Sequence, residues 1–333
     1  MDDRVLMAHG AGGRLSRDLV AHLITCLGPA CRNSMDDAAV VSGTERLAFT
    51  TDSFVVTPLF FPGGDVGRLA VCGTVNDLAM SGANARYLSL ALIIEEGLPI
   101  SELTRVVVSI REAALEAGVH IVTGDTKVVP HGAADKLFIN TAGLGIVPEG
   151  INISGALARP GDAIILSGSI GDHGTTVMAQ REGLRFSGEL ASDCAPLNGL
   201  VAAMIAACPD IHVLRDPTRG GLATTLNEIA QQSKVDIIVE EAMVPVRHPV
   251  KALCGLLGLD PFYVANEGKL VAFVPEGKAQ TVVAAMHRER YGTQASVIGR
   301  VTENQTGRVV MKTALDTTRV LPMLTGDLLP RIC

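Results

Sequence analysis

Residues 65–94 read D-V-G-R-L-A-V-C-G-T-V-N-D-L-A-M-S-G-A-N-A-R-Y-L-S-L-A-L-I-I, and this stretch decides the fold. Its first part, residues 65–82, predicts an apolar helix with Asn76 and Asp77 on its later turns. The Ser-Gly pair at its end is a helix stop signal. Residues 87–94 are almost continuously apolar, which is typical of a buried strand. An apolar helix followed by a buried strand indicates a layered α/β structure.

Strands and helices alternate on both sides of this stretch. Residues 47–56 predict a strand that contains Asp52, and residues 101–117 predict an amphipathic helix capped by Ser101. The strand predicted at residues 119–123 opens into Gly-Asp-Thr-Lys. Further predicted strands cover residues 137–147, 163–166, 235–240, 270–274, 295–301 and 308–312, and further helices cover 197–207, 222–232 and 278–289. This alternation predicts an α/β or α+β fold in both halves.

The length of 333 residues favours two domains. The segment 148–160 is polar and contains glycine and proline, so we place the domain boundary there. We predict an N-terminal domain at residues 1–150, which begins with a flexible glycine-rich segment, and a C-terminal α/β domain at residues 151–325. Residues 326–333 are predicted to form a mobile tail, because chain ends are usually mobile.

The composition argues against several classes of function. The chain is 47% hydrophobic and 19% charged, enough to bury a large core. Its net charge is −7 and it has no dense basic run, which disfavours nucleic-acid binding. Aromatic residues make up 3% and tryptophan is absent, which disfavours base stacking.

The sequence also predicts a cytoplasmic protein. No apolar run has the length of a membrane span, and the first residues do not resemble a secretory signal. The seven cysteines are scattered, without a Cys-x-x-Cys pair, which fits a reducing compartment.

Several aspartates lie in turns or at strand ends beside small residues. Converging carboxylates need a cation, and Mg²⁺ usually shares such oxygen ligands with nucleotide phosphates. One interpretation is therefore a Mg²⁺–nucleotide site, without a P-loop, made from several loops. The alternative is a set of ordinary solvated turn aspartates. The candidates are Asp37, Asp52, Asp77 and Asp125 in the first half and Asp216 in the second.

The last residues, Leu329-Pro330-Arg331-Ile332-Cys333, end the chain on a thiol. Pro330 stiffens the approach, and Arg331 places a positive charge near the sulfur, which favours the thiolate. The adjacent α-carboxylate acts in the opposite direction. The functional interpretation is a reactive group on a flexible arm, and the alternative is a chance cysteine on a frayed end.

Two further side chains are candidates for proton chemistry. Glu267, between Asn266 and Gly268, can act as a general base if burial raises its pKa. Lys127 follows Gly-Asp-Thr, next to a proposed metal ligand. The simpler alternatives are a turn residue for Glu267 and an ion pair for Lys127. His120, on an apolar strand, is interpreted as a core residue.

Taken together, the motifs resemble the aminoimidazole ribonucleotide synthetase superfamily, which includes selenophosphate synthetase and thiamine-monophosphate kinase. The resemblance covers essentially the whole chain. The final Pro-Arg-Ile-Cys and the early His-Gly-Ala-Gly-Gly at residues 9–13 are similar to the carbamoyl dehydratase branch, which serves hydrogenase maturation. The motifs that carry it are Asp36–Val40, Thr50–Ser53, Asn76–Ala83, Gly124–Lys127, Gly168–Gly174, Arg215–Gly221 and Asn266–Gly268.

The resemblance implies an activity and a fold. The terminal thiol is carbamoylated by the carbamoyltransferase HypF, and ATP then drives dehydration of the thiocarbamate to a thiocyanate. The cyano group passes to iron on a HypC–HypD scaffold complex, for a nickel–iron hydrogenase. The implied fold has two α/β domains, and the N-terminal domains pair into a β-barrel in a homodimer with ATP near that interface.

The resemblance also implies roles for individual residues. The catalytic group comprises Cys333, Glu267 as base and Lys127 as its charge partner or a phosphate clamp, with Glu241 as an alternative base. The residues expected to bind the nucleotide are Asp37, Thr51, Asp52, Asn76, Asp77 and Asp125, and those expected to bind Mg²⁺ are Asp37, Asp52, Asp77, Asp125 and Asp216.

Three rival functions stay open from the sequence. Selenophosphate synthetase would be expected to carry cysteine or selenocysteine in the loop at residues 9–14, which has neither. A kinase for a separate small molecule would tolerate loss of Cys333. A scaffold whose tail only docks would not hydrolyse ATP.

Overall fold

The computed structural model describes residues 13–14, 17–18, 39–42, 46–184, 189–304, 306–326 and 332–333. Asp37, Arg331 and the glycine-rich residues 9–12 lie outside these ranges, and so do the predictions that concern them. No helix within the described ranges has both the length and the apolar character that crossing a bilayer requires.

The first half forms a five-stranded sheet in the order β1-β2-β7-β5-β6. Helices α1 and α2 follow strands β4 and β5 along the chain. A short hairpin, β3–β4, precedes α1. The elements are β1 (Ala39–Ser42), β2 (Arg46–Phe54), β3 (Phe60–Phe61), β4 (Gly64–Asp65), α1 (Val66–Met80), β5 (Asn84–Glu95), α2 (Ile100–Ala117), β6 (His120–Val129) and β7 (Leu137–Ile146).

Helix α1 forms the centre of the first half. Asp65 caps it by accepting hydrogen bonds from the backbone N–H groups of Gly67 at 2.7 Å and Arg68 at 3.1 Å. Every residue of α1 except Arg68 and Asp77 is buried. Gly73 allows close packing, since a Cβ there would lie 2.9 Å from the Phe54 ring. The predicted helix is confirmed, and Arg68 and Asp77 are its two residues that are not buried.

Strand β6 corrects two predictions. The strand predicted from the sequence ends before Gly124, but β6 continues to Val129 because it pairs in parallel with β5, with one register shift at Val122. Gly124–Lys127 therefore lies inside an edge strand and not in a turn. Residues 120–128 are all exposed, so the interpretation of His120 as a core residue is wrong. The first half thus has an uncovered sheet edge with apolar side chains.

Helix α2 corrects the predicted cap. It begins at Ile100 after Pro99, and no side chain caps its N-terminus, so the assignment of Ser101 as cap is wrong. Its last residue, Ala117, agrees with the predicted range, and Gly118 ends the helix with a φ of 69°.

The second half forms a seven-stranded sheet in the order β14-β13-β10-β12-β8-β11-β9. The predicted helices and strands are present, with ends shifted by a few residues. The elements are β8 (Asp162–Leu166), α3 (Asp172–Arg181), α4 (Asn198–Ala207), β9 (Val213–Arg215), α5 (Gly221–Ser233), β10 (Asp236–Glu240), α6 (His248–Leu257), β11 (Val271–Pro275), α7 (Ala279–Met286), β12 (Ser296–Thr302), β13 (Val309–Lys312) and β14 (Thr318–Val320).

One hydrophobic core cluster spans the two halves. Leu78 of α1 and Met204 of α4 belong to the same buried cluster, which also contains Ile332 near the chain end. Polar contacts reinforce the junction: the Arg68 Nε–H donates to the Cys194 carbonyl at 3.0 Å. The junction therefore fixes α1, with its two outward polar residues, against the second half.

Candidate active site

A cavity of about 370 Å³ lies at the junction of the two halves. Strand β2 and helix α1 form one wall, and the turn after β9, helix α5 and the chain end form the other. The lining residues are Thr50, Thr51, Asp52, Gly73, Asp77, Arg215, Asp216, Thr218, Arg219, Thr225, Glu228, Glu267 and Cys333. The structure therefore brings the terminal cysteine, the proposed base and three of the proposed metal ligands into one polar site.

The first-half wall presents two of these carboxylates. Asp77 accepts a hydrogen bond from the Thr50 hydroxyl at 2.8 Å. Asp52 accepts one from the Ser53 backbone N–H at 2.7 Å, and the Arg219 guanidinium lies 3.9 Å away. Burial raises the pKa of Asp52, and Arg219 offsets part of that rise. The Thr51 hydroxyl donates to the Thr141 carbonyl at 3.1 Å.

The position of Glu267 is fixed by hydrogen bonds of its own backbone and of the residues on either side of it. Asp193 accepts hydrogen bonds from the N–H groups of Glu267 at 3.2 Å and Gly268 at 3.3 Å. Only glycine fits at position 268, because a Cβ there would lie 1.8 Å from the Asp193 carbonyl oxygen. Asn266 secures the other side by accepting from the Gly171 N–H at 2.7 Å. The position of this carboxyl group is therefore set by contacts that leave its side chain free to react.

The surroundings of the Glu267 side chain favour its protonated form. It is 4% exposed, and its Oε1 has no hydrogen-bond partner among the described residues. Burial raises its pKa well above the usual value, and Asp216, Asp193 and Asp52 raise it further. Burial likewise raises the pKa of Asp216 to about 6. The cavity lining thus contains more carboxyl groups than arginines, and burial favours the protonated form of two of those carboxyl groups.

The chain end enters this cavity. Ile332 is 4% exposed within the shared core, and burial of such a side chain stabilises by roughly 1.5–3 kcal/mol. The Val55 N–H donates to an oxygen of the Cys333 α-carboxylate at 3.1 Å. Among the described residues, the cation that acts on the Cys333 thiol is Arg219. Burial, together with Glu267, Asp52 and Asp216, nevertheless raises the pKa of Cys333 to about 12. The docked thiol is therefore protonated at neutral pH.

Comparison with known proteins identifies the family. Residues 35–147 match the AIR synthase related protein, N-terminal domain, and residues 159–312 match the C-terminal domain. The carbamoyl dehydratase HypE of Azotobacter vinelandii is 51% identical over 334 residues, which cover 99% of this chain and 97% of that protein. The chain belongs to the HypE family of carbamoyl dehydratases.

Solved HypE structures confirm the fold. The crystal structure of the hydrogenase maturation protein HypE in complex with ATP is 51% identical, with a TM-score of 0.84, and covers 99% of this chain and 100% of that one. The crystal structure of a HypE–HypF complex is 46% identical, with a TM-score of 0.87, and the match covers 92% of this chain and 99% of that one. The two-domain α/β fold implied by the sequence resemblance is confirmed.

Three of the proposed site residues that the structure describes do not line the cavity. Asp125 and Lys127 lie on β6, three strand spacings or about 14 Å from β2 in the sheet order. The expectation that Lys127 lies beside Glu267 is therefore not met within one chain. Asn76 is buried below the cavity, where its amide donates to the Ala195 carbonyl at 3.0 Å and accepts from the Leu197 N–H at 2.8 Å. Asp37 lies outside the described residues.

The alternative base also lies elsewhere. Glu241 begins a short 3-10 helix after β10 and accepts a hydrogen bond from the Ala314 N–H at 3.0 Å. It does not line the cavity.

Sequence reasoning missed two residues that shape the site. Arg219 supplies positive charge between Asp52 and Cys333, and it lies in a motif from which only Asp216 was assigned. The motif itself was a signal that could have identified it. Asp193, which holds the Glu267 turn, lies in a loop without any local pattern.

The acidic residues fit a cation only together with a ligand that brings oxygen atoms. Among the described residues, no group of three or more His, Cys, Asp or Glu side chains is arranged to hold a metal ion. Asp52, Asp77 and Asp216 nevertheless face one cavity, where burial raises the pKa of Asp52 and Asp216, and a bound cation would favour their ionised forms. Mg²⁺ often takes one or two carboxylates and completes its shell with phosphates and water.

Proposed function

We propose that this chain is an ATP-dependent carbamoyl dehydratase whose own terminal thiol carries the substrate. One observation carries the proposal: the Cys333 side chain lines the same cavity as Glu267 and the acidic residues. A chance terminal cysteine would not require a buried penultimate residue or an enclosed polar site. The HypE relatives named carbamoyl dehydratase and the ATP-bound HypE support the same activity.

The proposed reaction removes the elements of water from a thiocarbamate. The carbonyl oxygen of the S-carbamoyl group attacks the γ-phosphorus of ATP, and ADP leaves. The C–O bond then breaks, so that phosphate leaves with the oxygen, while the amide nitrogen loses both of its protons and the C≡N bond forms. Phosphorylation matters because the unmodified oxygen is a poor leaving group. The products are the thiocyanate on Cys333, ADP and phosphate.

Glu267 is the proposed acceptor of a proton from the nitrogen. Its carboxyl group is buried, lacks a partner at Oε1 among the described residues and faces the cavity that Cys333 enters. It must be ionised before it can accept a proton, and neutralisation of the neighbouring carboxylates lowers its raised pKa toward that state. A buried site also keeps water from the phosphorylated intermediate.

Asp52, Asp77 and Asp216, with Thr51, are the proposed holders of the Mg²⁺–nucleotide. Mg²⁺ would supply neutralisation of phosphate charge, the main requirement of phosphoryl transfer. Asp37 remains a proposed ligand. Asp125 and Lys127 lie far from their own cavity, so their proposed roles require a second copy of the chain. The exposed β6 edge supports the proposed homodimer of N-terminal domains.

The proposed partners act before and after this step. The solved complex of a relative with HypF supports carbamoylation of Cys333 by HypF. The docked thiol is protonated and enclosed, so loading requires the tail to leave the cavity. The same mobility would then present the thiocyanate to a HypC–HypD iron scaffold, as the resemblance implies.

The proposal is tested by intact-mass spectrometry with HypF, its carbamoyl donor and MgATP. Wild-type protein should gain one carbamoyl group and then lose one water, whereas Cys333→Ala should show neither change. Cys254→Ala removes a buried thiol of α6, away from the cavity, and serves as the matched control that should behave like wild type. The tail hypothesis is wrong if Cys333→Ala retains both mass changes. An absence of ATP hydrolysis would favour a scaffold instead.

A further inference from the structure

The docked tail is held through its backbone as well as through the Ile332 side chain. The Val55 N–H donates to an oxygen of the Cys333 α-carboxylate at 3.1 Å, and His173 Nε2 lies 2.8 Å from the Ile332 carbonyl oxygen. Within the described ranges, the His173 ring provides a side-chain hydrogen bond to the tail backbone. A side-chain contact of this kind can be tested by substitution, unlike the contact from Val55.

His173 is built into the first turn of α3. It is 0% exposed, and its ring meets the Phe61 ring edge-on with centroids 5.4 Å apart. Its second nitrogen, Nδ1, lies 2.8 Å from the Ser192 hydroxyl oxygen. Both ring nitrogens are therefore engaged, one with the tail and one with the loop before α4.

The direction of these hydrogen bonds follows from their chemistry. A carbonyl oxygen only accepts, so Nε2 must carry the proton and donate to Ile332. Burial lowers the pKa of His173 and favours the neutral ring, in which Nδ1 accepts from the Ser192 hydroxyl. The Ser192 oxygen in turn accepts from the Cys194 N–H at 3.1 Å. The loop thus selects the tautomer that binds the tail.

The same loop also holds the proposed base. Asp193, between Ser192 and Cys194, accepts the backbone N–H groups of Glu267 and Gly268. Three consecutive residues therefore connect to both the tail and the Glu267 turn. This arrangement links the position of the carried sulfur to the position of the base.

We propose that His173 is a positioning residue that latches the tail through the Ile332 carbonyl and sets the register in which Cys333 enters the cavity. The docking role rests on the contacts described here. Its consequence for dehydration rests on the proposed function.

The test uses two substitutions that each preserve one half of the His173 contacts. Gln at position 173 places an amide N–H near the Nε2 position and can still reach Ile332, whereas Asn occupies the Nδ1 side and keeps only the Ser192 contact. The readout is the rate at which iodoacetamide alkylates Cys333 in the unloaded protein, measured on the C-terminal peptide. Labelling of buried Cys254 reports general opening of the fold.

Loss of one hydrogen bond should shift the docking equilibrium by about fivefold, so His173→Asn should alkylate Cys333 about fivefold faster relative to Cys254. His173→Gln should stay within about twofold of wild type. The proposal is overturned if His173→Asn alkylates Cys333 at the wild-type rate, or if the Cys333 alkylation rate rises equally in both variants.

A second readout separates this proposal from the proposed function. In carbamoylated protein given MgATP, His173→Asn should lose water more slowly than His173→Gln. If neither the wild type nor any variant loses water, the dehydratase proposal fails. The alkylation rates of Cys333 still test whether His173 holds the tail. If the wild type loses water and both variants alkylate like it, the latch alone fails.

Discussion

At the scale of single residues, Glu267 and Cys333 share a cavity that alters the chemistry of both. Burial and neighbouring carboxylates raise the pKa of each group. The docked thiol is therefore a poor nucleophile, and the carboxyl group is a stronger proton acceptor once it is ionised. These properties fit a site that receives an already loaded sulfur and does not load it.

Glu267→Gln should stall the reaction after loading. The amide keeps the size of the side chain but cannot accept a proton, so the carbamoylated form should accumulate while ATP still binds. Single-turnover mass spectrometry measures the accumulation, and a nucleotide-binding titration measures the affinity. Glu241→Gln is the matched control, because that carboxylate lies outside the cavity and binds the Ala314 N–H. Normal water loss in Glu267→Gln would remove this residue from the mechanism.

Asp216→Asn should stabilise the metal-free protein at neutral pH. Burial raises the pKa of Asp216 from 3.8 to about 6, so the folded chain holds a proton that the unfolded chain has lost. The stability of the wild type should therefore fall as pH rises from about 4 to about 6, by up to about 3 kcal/mol.

Urea unfolding at two pH values checks this sign. Asp216→Asn should exceed the wild type in unfolding free energy at pH ~7 and match it at pH ~3 or below, where the carboxyl group is mostly protonated in both the unfolded and the folded chain. Equal unfolding free energies near neutral pH would show that Asp216 carries no such penalty.

At the scale of elements, the turn at residues 266–268 depends on a close backbone approach. A Cβ at Gly268 would lie 1.8 Å from the Asp193 carbonyl oxygen. That oxygen is a backbone atom, so it cannot move aside as the end of a flexible side chain could. Gly268→Ala should therefore displace the turn, lower the unfolding free energy by about 1–3 kcal/mol and slow water loss.

A glycine in open space provides the control for that prediction. A Cβ at Gly277, in the short 3-10 helix before α7, would meet no atom within 4 Å. Gly277→Ala should therefore fold and turn over like the wild type. A Gly268→Ala protein as stable and active as Gly277→Ala would contradict the packing argument.

Elements with a strong local pattern could be predicted from the sequence. Helix α1 was identified by its apolar residues and stop signal, because nearly all of it is buried. Strand β6 was cut short because its pairing with β5 depends on a partner distant in sequence and most of its side chains are exposed. Ser101 was mistaken for a cap because capping depends on where the backbone turns, and α2 turns at Pro99.

The site could be predicted only in part for the same reason. Glu267 and Cys333 occupy motifs that mark chemistry, and the fold brings them together. Asp193 contacts Glu267, and His173 contacts Ile332. Each pair is more than 70 residues apart in the sequence, and no local pattern encodes such contacts. The roles of Asp37, Asp125, Lys127 and Asn76 stay predictions.

At the scale of the whole molecule, the uncovered β6 edge is the expected site of self-association. Val122 is 60% exposed and Val128 is 63% exposed on this strand. Exposed apolar strand edges are uncommon in monomers, since they pair readily with other chains.

Val122→Asp should weaken the proposed homodimer, because a charge would enter the buried interface. Leu115→Asp, at a residue of α2 that is 74% exposed, is the matched control for a new charge on an apolar surface. Sedimentation velocity should show a dimer for wild type and Leu115→Asp and a larger monomer fraction for Val122→Asp. Identical sedimentation of all three proteins would place any interface elsewhere. A cytoplasmic location also stays a prediction.

The central claim is that this chain itself dehydrates the group carried on its last residue. The most direct measurement is the mass of the C-terminal peptide after protein carbamoylated at Cys333 is freed of all partners and mixed with MgATP. The account predicts loss of one water from that peptide in step with ADP release, and no loss when ATP is omitted. A peptide that keeps its carbamoyl group intact, while ATP binds and Cys333 remains docked, would contradict it.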